Sequence, residues 1–467
     1  MFHVAKINRF GGIGVYKSSQ FNCSIPLNDG GMMIRNLFTN AVLRIKPEHT
    51  AKVKMILDNP TDALKVTDSD SITIASMLEK HGMIVDRQII EYQHVNAFRR
   101  SIAYDRKLDL TIMPTNDCNF RCVYCFEEER TQYMSDENVD GIINFLNRNL
   151  AKFISVNIQW FGGEPLLCKD IIDRVMTAAI EYSKRDKVAL TSGITTNGYL
   201  LDLDTYKKLC KYHMIWMQIS IDGTKATHNT QRPHKTDPDS YQRIIDNLKT
   251  IRDNTLPGMC RIYFRITVSK MLIPYMDEIL EFYQKEFSKD SRFRLSIQPV
   301  MDWGGERIES QINKLPTVKE TVSCLYKAAD LGLMPIGHHT QSKVNLVCEA
   351  NRRYSYTLYP GFGVYKFPMA VYSLRDGDLN HGKIGEISKD GTMKINAQYV
   401  TEWSEGEPAL GEVCTSCTYY SICHGGQTCP FSLKFLNIVP NGLCKKKIYD
   451  EYIPAELYAI YLSGKYD

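Results

Sequence analysis

Apolar and polar residues form a repeating pattern between residue 108 and about residue 330. Six short apolar runs occur there, at Leu108–Met113, Val156–Phe161, Val188–Thr195, Met214–Ile221, Ile262–Val268 and Leu295–Val300. Segments with helical spacing separate them, for example Val139–Leu150, Ile171–Tyr182, Tyr241–Ile251 and Tyr275–Tyr283. Strands that alternate with helices predict a parallel sheet with right-handed crossovers. Six such units predict an α/β fold, a partial (β/α)6 TIM barrel, with its active site at the carboxyl ends of the strands.

The first hundred residues show shorter and less regular patterns. Alternating stretches are interrupted by Asn-Asp-Gly-Gly at residues 28–31, which is a hairpin signal. A helical pattern over Ser71–His81 is followed by the short apolar run Gly82–Val85, which is typical of a strand. Helices combined with a small sheet predict a winged-helix-like domain over residues 1–105.

The last part of the chain, from about residue 335, loses the alternation of strands and helices. It is rich in Gly, Tyr and Cys, and we expect few long helices in it. A small core of this kind needs metal ions to hold it together. The sequence therefore predicts three domains, at residues 1–105, 106–330 and 331–467.

Composition narrows the range of partners and compartments. The 467 residues carry a net charge of only +4, which does not indicate a nucleic-acid partner. No secretory signal and no long apolar stretch occur, so we expect a cytoplasmic protein without a membrane partner. The chain has 14 cysteines. In a reducing cytoplasm, clustered cysteines indicate metal ligands rather than disulfides.

Three of these cysteines follow the first predicted barrel strand with the spacing C-x3-C-x2-C, at Cys118, Cys122 and Cys125. Cysteine thiolates are the usual ligands of iron–sulfur clusters. Three close cysteines can hold three irons of a four-iron cluster and leave the fourth iron open, as catalytic zinc keeps an open position. The alternative is a structural zinc loop, which usually needs four ligands in two close pairs.

The cysteine motif and its neighbours resemble the radical S-adenosylmethionine (SAM) superfamily over about residues 108–300. The sequence Trp-Phe-Gly-Gly-Glu-Pro at 160–165 follows the second strand and is similar to the Gly-Gly-Glu-Pro motif of that family. The resemblance implies a 4Fe–4S cluster at the three cysteines that binds SAM. Electron transfer from the cluster then breaks the sulfonium bond, which yields a 5′-deoxyadenosyl radical.

The same resemblance implies further contacts to SAM. Tyr124 corresponds to an aromatic residue near the adenine, and Gly162, Gly163 and Glu164 to the motif that binds the methionine amino group. The ends of the third and fourth strands resemble motifs near the ribose and the carboxylate. The residues concerned are Asn197, Ser220 and Asp222. Arg265 is a candidate carboxylate partner, and Arg232 falls after the fourth strand, where related sequences often carry arginine. Each of these can alternatively be an ordinary strand-end turn or a surface charge.

A second group of cysteines lies near the end of the chain, at Cys414, Cys417, Cys423 and Cys444. The spacing resembles the SPASM domain, a carboxyl-terminal extension that carries auxiliary 4Fe–4S clusters. The resemblance implies at least one auxiliary cluster on these four cysteines. A zinc ribbon is the alternative, because the spacing does not separate the two metals.

A further auxiliary cluster has an incomplete set of ligands. Cys348 and Cys429 match two of its ligand positions in the SPASM pattern. Phe367 and Tyr354 occupy the other two, and a phenylalanine cannot bind iron. Whether this cluster exists is therefore left open by the sequence.

SPASM-type radical SAM enzymes mostly modify peptides and proteins. The leading hypothesis is an oxidoreductase that abstracts hydrogen from a ribosomally made peptide and forms a thioether or carbon–carbon crosslink. The resemblance implies a precursor peptide whose leader the amino-terminal domain binds by strand addition. It also implies a low-potential electron donor such as ferredoxin or flavodoxin.

Two alternatives remain at this point. One is a sulfatase-maturing enzyme that makes formylglycine by the same initial chemistry. The other is a non-catalytic metal-binding scaffold that recruits a peptide. The substrate peptide, the bond formed and the oligomeric state are not encoded in any pattern of the sequence.

Overall fold

The computed structural model describes residues 15–63, 68–127, 131–256, 258, 260–303, 306–335, 347–371, 382–404, 411–423 and 444–466. Within these described residues, the first unit contains two small antiparallel sheets and four helices. Its elements are β1 (Tyr16–Ser18), β2 (Asn22–Pro26), β3 (Met32–Asn36), β4 (Val42–Ile45), α1 (Pro47–Asp58), α2 (Pro60–Ala63), α3 (Ser69–Lys80), β5 (Ile84–Asp86) and α4 (Glu91–Ala103). Strands β2, β3 and β4 form one sheet, and β1 pairs with β5.

The hairpin predicted at residues 28–31 connects β2 and β3. Gly30 has a φ of +85° and its amide donates to the carbonyl of Leu27 at 3.1 Å. This left-handed backbone conformation favours glycine, which explains the Asp-Gly-Gly sequence of the turn. The predicted helix at Ser71–His81 and the strand that follows it are confirmed as α3 and β5.

All six predicted barrel strands are present and parallel. They are β6 (Lys107–Ile112), β7 (Ser155–Trp160), β8 (Ala189–Thr196), β9 (Met214–Ser220), β10 (Arg261–Val268) and β11 (Phe293–Pro299). The helices of this part are α5 (Asp136–Asn149), α6 (Lys169–Asp186), α7 (Leu203–Lys211), α8 (Lys225–Gln231), α9 (Ser240–Asn254), α10 (Met276–Glu286), α11 (Glu306–Glu309) and α12 (Val318–Asp330). Neighbouring strands follow one another in chain order, as expected of a partial barrel.

The sheet continues beyond β6, the first barrel strand, with strands from the part of the chain after residue 330. Strand β12 (Ser355–Leu358) pairs in parallel with β6, and β13 (Gly363–Tyr365), β14 (Lys383–Ile387) and β15 (Met393–Ile395) extend it antiparallel. The result is one mixed sheet of ten strands. Three helices complete the described elements, namely α13 (Ala397–Ser404), α14 (Glu412–Thr415) and α15 (Lys446–Ser463).

The 18-residue helix α15 is the one long helix among the described residues near the end of the chain, and the sequence pattern does not predict it. It packs against α12 on one side, where the Tyr326 and Tyr458 rings lie 5.4 Å apart. On the other side it packs against the β2–β3 hairpin, and Glu456 pairs with Arg35 at 3.0 Å. The helix therefore joins the first unit to the barrel.

The described residues form three larger hydrophobic cores and one small cluster of Met113, Tyr359 and Val371. The largest lies between the ten-stranded sheet and helices α5–α12, and a second lies within the first unit. The third is shared by the first unit and the carboxyl-terminal part, and includes Phe21, Met33, Tyr420, Tyr449 and Leu457. No helix among the described residues is both long enough and apolar enough to cross a membrane.

Candidate active site

A cavity of about 330 Å³ lies at the carboxyl ends of the parallel strands. The loops that follow β6 and β7 form one side of it, and the ends of β8, β9, β10 and β11 form the rest. Predicted site residues that line this cavity are Cys118, Cys122, Tyr124, Cys125, Gly162, Gly163, Asn197, Ser220, Arg232 and Arg265. Residues separated by more than a hundred positions in the sequence therefore meet at one end of the sheet.

The three cysteines lie on a loop that the backbone holds in place. The amide of Val123 donates to the carbonyl of Gln231 at 2.9 Å, and that of Arg121 donates to Pro233 at 2.7 Å. Burial raises the pKa of the Cys118 thiol to about 12, and the neighbouring Cys122 and Glu164 add to the rise. A buried thiol of this kind becomes a thiolate when a bound metal ion supplies positive charge.

The Gly-Gly sequence at 162–163 packs directly against this cysteine loop. The amide of Gly163 donates to the carbonyl of Thr115 at 3.1 Å, and a Cβ atom on Gly163 would lie 2.1 Å from the carbonyl oxygen of Asp117. Gly162 has a φ of +107°, which a side chain would strain. Both glycines line the cavity, but the close approach that requires them is to the protein's own backbone.

Glu164 is fully buried behind the cavity wall instead of lining it. Its carboxylate accepts from the Asn197 amide at 2.7 Å, from the Thr196 hydroxyl at 2.7 Å and from the Leu166 amide at 3.0 Å. Burial raises the pKa of Glu164, and these donors oppose the rise. In this structure Glu164 therefore orients the end of β8, where Asn197 faces the cavity.

A buried polar network joins the cysteine loop to β9 and β10. The Tyr124 hydroxyl donates to Asp222, and Arg232 donates to the Tyr124 oxygen at 2.7 Å and to Asp222 at 3.4 Å. The amide of Thr267 also donates to Asp222, at 2.8 Å. Asp222 lies behind the wall with no exposed surface. It therefore acts on the cavity through Tyr124 and Arg232.

Two arginines present unused donors near the cavity. The Nε atoms of Arg232 and Arg265 are buried and have no hydrogen-bond partner among the described residues. Burial lowers the pKa of Arg265, while Tyr124 and Asp222 oppose this. Buried guanidinium groups that keep an unpartnered N–H donor favour the binding of an anion.

Some residues in and around the cavity are not among those that the sequence predicts for the site. Asn119, which does not line the cavity, accepts from the Asn197 side chain at 2.7 Å and so connects the cysteine loop to β8. Trp303 and Arg307 follow the sixth barrel strand, and their position after a strand end could have identified them. Met369 comes from the segment after β13, and no sequence pattern marks it.

The second cysteine group does not line this cavity and lies beside the first unit and α15. Cys414, Cys417 and Cys423 pack against the core that these elements share. Burial raises the pKa of Cys417, and the nearby Cys423 and Cys444 add to the rise. In the part of the chain that the structure describes, no three His, Cys, Asp or Glu side chains are close enough to enclose a metal ion.

The residues predicted for the further auxiliary cluster lie apart from the second cysteine group. Cys348, Tyr354 and Phe367 pack against the barrel core, and Cys429 lies outside the described residues. The ammonium group of Lys366 is buried beside them and donates to the carbonyls of Arg352, Arg353 and Ser355. The described residues therefore contribute one thiol to this region.

Comparison with curated proteins identifies relatives of the central part of the chain. The radical SAM cyclopropyl synthase TigE of Paramaledivibacter caminithermalis is 26% identical over 41% of this chain and 42% of that protein. The cysteine-type anaerobic sulfatase-maturating enzyme of Clostridium novyi is 25% identical over 42% of this chain and 53% of that protein. The alignments thus span about half the length of these relatives or less.

Solved structures share the fold. Native anSMEcpe with bound AdoMet aligns with a TM-score of 0.57 at 16% identity, over 76% of this chain and 99% of that one. SuiB of Streptococcus suis bound to its precursor peptide SuiA aligns with a TM-score of 0.51 at 15% identity, over 92% of this chain and 100% of that one.

The profile of the radical SAM superfamily matches residues 112–285. This range includes the three cysteines of the first loop, the Gly-Gly-Glu-Pro sequence and Arg265. The family implies a 4Fe–4S cluster and SAM, and it favours an enzyme over a non-catalytic scaffold. Residues 112–285 of this chain therefore match the radical SAM superfamily of enzymes, and the fold and the cavity agree with that match.

Proposed function

We propose that this enzyme is a peptide maturase that forms a thioether or carbon–carbon crosslink in a ribosomally made peptide. The observation that carries the proposal is the cavity itself. It combines three thiols with two unpartnered arginine donors at the carboxyl end of a parallel sheet. A second cysteine group and a separate amino-terminal unit accompany it, as in SPASM-type enzymes that act on peptides.

The residues around the cavity suit a 4Fe–4S cluster and SAM. Cys118, Cys122 and Cys125 would hold the cluster, because thiolates are its usual ligands. Arg265 and Arg232 would donate to the SAM carboxylate, since their Nε atoms have no partner among the described residues. When bound, these groups supply the abstraction of a hydrogen atom from the substrate.

The chain's own residues would control access to that reaction. Trp303, Met301 and Met369 also line the cavity and contribute apolar surface to it. An apolar wall excludes water and orients the substrate bond that is to be broken. Glu164 keeps Asn197 in place through its hydrogen bond to the Asn197 amide.

The amino-terminal unit is the proposed site for the leader peptide. Strand β4 is at the edge of its sheet, with β3 as its neighbour among the described strands. An edge strand can accept an additional strand from a peptide. The precursor peptide in the SuiB structure supports a peptide partner for this fold. The winged-helix-like character of this unit remains a prediction.

Cys414, Cys417, Cys423 and Cys444 are the proposed ligands of an auxiliary 4Fe–4S cluster in a SPASM-like domain. Four thiolates would leave no open iron, so electron transfer is its proposed role. The cluster would accept the electron released when the product radical is oxidised. Ferredoxin or flavodoxin remains the predicted external donor.

A formylglycine-generating activity is the second candidate. The sulfatase-maturating relative from Clostridium novyi favours it, because that alignment also covers the central part of this chain. The product distinguishes the two candidates: formylglycine contains an aldehyde, whereas a crosslink does not.

The test uses anaerobically reconstituted enzyme with SAM, dithionite and the small peptide encoded beside its gene. We expect 5′-deoxyadenosine and a peptide product that is lighter by two hydrogen atoms and does not react with hydrazide reagents. The Cys118→Ala/Cys122→Ala/Cys125→Ala variant is the control and should lose SAM cleavage. Cys414→Ala/Cys417→Ala should lower the iron content while retaining slow SAM cleavage.

Two results would contradict the crosslinking proposal. A hydrazide-reactive peptide product would establish the formylglycine alternative. SAM cleavage without a change in peptide mass, across all small peptides encoded near the gene, would argue against peptide maturation.

A further inference from the structure

Arg99, on helix α4 of the first unit, reaches the second cysteine loop. Its Nη2 atom donates to the carbonyl of Tyr420 at 2.6 Å and to that of Cys423 at 3.2 Å. The guanidinium also lies 4.8 Å from the centre of the Tyr420 ring. A residue more than 300 positions earlier in the chain therefore holds the turn that carries Cys423.

The charge of Arg99 is buried without a carboxylate partner. Only 4% of the residue is exposed, and its Nε and Nη1 atoms have no hydrogen-bond partner among the described residues. The described residues also contain no ion pair to it. Burying a charge in this way is costly unless an opposite charge lies nearby.

The groups that act electrostatically on Arg99 identify the candidate for that opposite charge. Burial lowers the pKa of Arg99, and Tyr420, Cys423 and Tyr449 oppose the change. Of these three, only the thiol becomes an anion when a metal binds near neutral pH. The unpaired guanidinium thus lies where a thiolate-bound cluster would place negative charge.

We propose that Arg99 is a positioning residue that stabilises the reduced state of the auxiliary cluster on Cys414, Cys417, Cys423 and Cys444. This inference rests on the proposed function, because it needs that cluster. One-electron reduction makes a cluster more negative, and a nearby positive charge favours the more negative state. The net charge and hydrogen bonds around a cluster are known determinants of its potential.

Other contacts between the first unit and the loop provide a matched control. The Gln20 side chain donates to the carbonyl of Thr415 at 2.9 Å, between the first two cysteines of the group. Gln20 is neutral, so its loss would loosen the loop without removing a charge. Arg100 is the exposed neighbour of Arg99 on the same helix. Its substitution tests whether loss of a positive charge on the surface of this helix is enough to change the potential.

The experiment uses the full chain with Cys118→Ala/Cys122→Ala/Cys125→Ala, so that only the auxiliary cluster can contribute an electron paramagnetic resonance signal. The midpoint potential is measured by titration with dithionite and redox mediators in this background. Arg99→Met should make the potential more negative by about 59 mV, which is a tenfold change in the one-electron equilibrium. Arg100→Met and Gln20→Ala should leave it unchanged.

The Arg99→Lys variant separates charge from hydrogen bonding. It should keep the wild-type potential but lose iron faster to a chelator, because the planar fork of arginine is absent. If Arg99→Met fails to hold the cluster, Arg99→Gln replaces it, because glutamine keeps hydrogen-bond donors but carries no charge; a potential more negative than that of the parent then supports the proposal. A potential in Arg99→Met equal to that of the parent would overturn it.

The background variant also distinguishes this inference from the proposed function. If it contains no iron after reconstitution, there is no auxiliary cluster and the role of Arg99 is refuted. The wild-type chain would in that case still be tested separately for SAM cleavage and peptide modification.

Discussion

The Cα atom of Gly163 lies so close to the carbonyl oxygen of Asp117 that a Cβ atom would stand 2.1 Å from that oxygen. The neighbouring amide of Glu164 donates to the same carbonyl at 2.9 Å. The Gly-Gly-Glu-Pro loop and the cysteine loop are thus in direct backbone contact. The position of Cys118 depends on the absence of a side chain at residue 163.

Gly163→Ala should therefore displace the cysteine loop. The added methyl group meets backbone atoms, which cannot rotate away as a side chain can. We expect lower iron content after reconstitution of the first cluster, measured by iron analysis in a Cys414→Ala/Cys417→Ala background.

Gly332→Ala is the control, because a Cβ there has no heavy atom within 4 Å. That change should cost only about 1–2 kcal/mol for its left-handed backbone and leave iron content unaltered. Equal iron in both variants would contradict the prediction.

Arg265→Met should weaken SAM binding without altering iron content. The variant removes a buried guanidinium whose Nε atom is unpartnered among the described residues. A hydrogen bond to a charged group contributes about 1.5–3 kcal/mol, roughly a tenfold to hundredfold effect on the dissociation constant. Equilibrium dialysis under anaerobic conditions measures the dissociation constant of SAM. Arg261→Met, at the exposed start of the same strand, should bind SAM normally. Equal affinity for SAM in both variants would show that Arg265 does not contact SAM.

Asp222→Ala should destabilise the barrel far more than Tyr124→Phe. Removal of the carboxylate leaves the Arg232 guanidinium buried without its ion-pair partner, which costs about 3–5 kcal/mol. Tyr124→Phe removes one hydroxyl donor and should cost about 1 kcal/mol. Thermal unfolding of the two apo-proteins gives the comparison. Similar melting temperatures would show that Asp222 does not hold the network together.

The Arg35–Glu456 pair predicts a specific dependence of stability on pH. Burial raises the pKa of Glu456 from 4.5 to about 6, although Arg35 acts in the opposite direction. The Oε1 atom of Glu456 has no partner among the described residues, which agrees with this rise. Between pH 4.5 and about pH 6, Glu456 therefore keeps its proton in the folded protein, whereas it has lost that proton in the unfolded chain.

The free energy of unfolding should consequently fall as pH rises from about 4.5 to about 6, by about 2 kcal/mol in total. Urea unfolding of the apo-protein at intervals across this range measures the change. Glu456→Gln cannot titrate and should lack this contribution, so the difference between wild type and variant should follow the same curve. A difference that is constant across the range would contradict the raised pKa.

The central sheet and the first cysteine loop could be predicted from local patterns. Each barrel strand is a short apolar run between helical segments, so its signal lies within a few residues. The spacing of Cys118, Cys122 and Cys125 is equally local. The carboxyl ends of parallel strands meet at one edge, which explains why residues such as Asn197 and Arg265 could be expected to face one cavity.

The sequence pattern did not predict helix α15, and the reason is physical. It packs against α12 on one side and against the β2–β3 hairpin on another, so its apolar residues do not form one stripe. Pro454 also interrupts its interior, which reduces any helical signal. The distribution of apolar residues on α15 is explained only by its contacts with both α12 and the β2–β3 hairpin.

The sequence by itself thus determined the order of the barrel strands and the match of residues 112–285 to the radical SAM superfamily, and it predicts the iron-binding chemistry of the first loop. The tertiary structure alone decided that Glu164 is turned away from the cavity and that Arg99 lies against the second cysteine loop. The contact between Arg35 and Glu456 spans 421 positions. Sequence periodicity describes which face of an element is buried, but it does not specify which distant element covers that face.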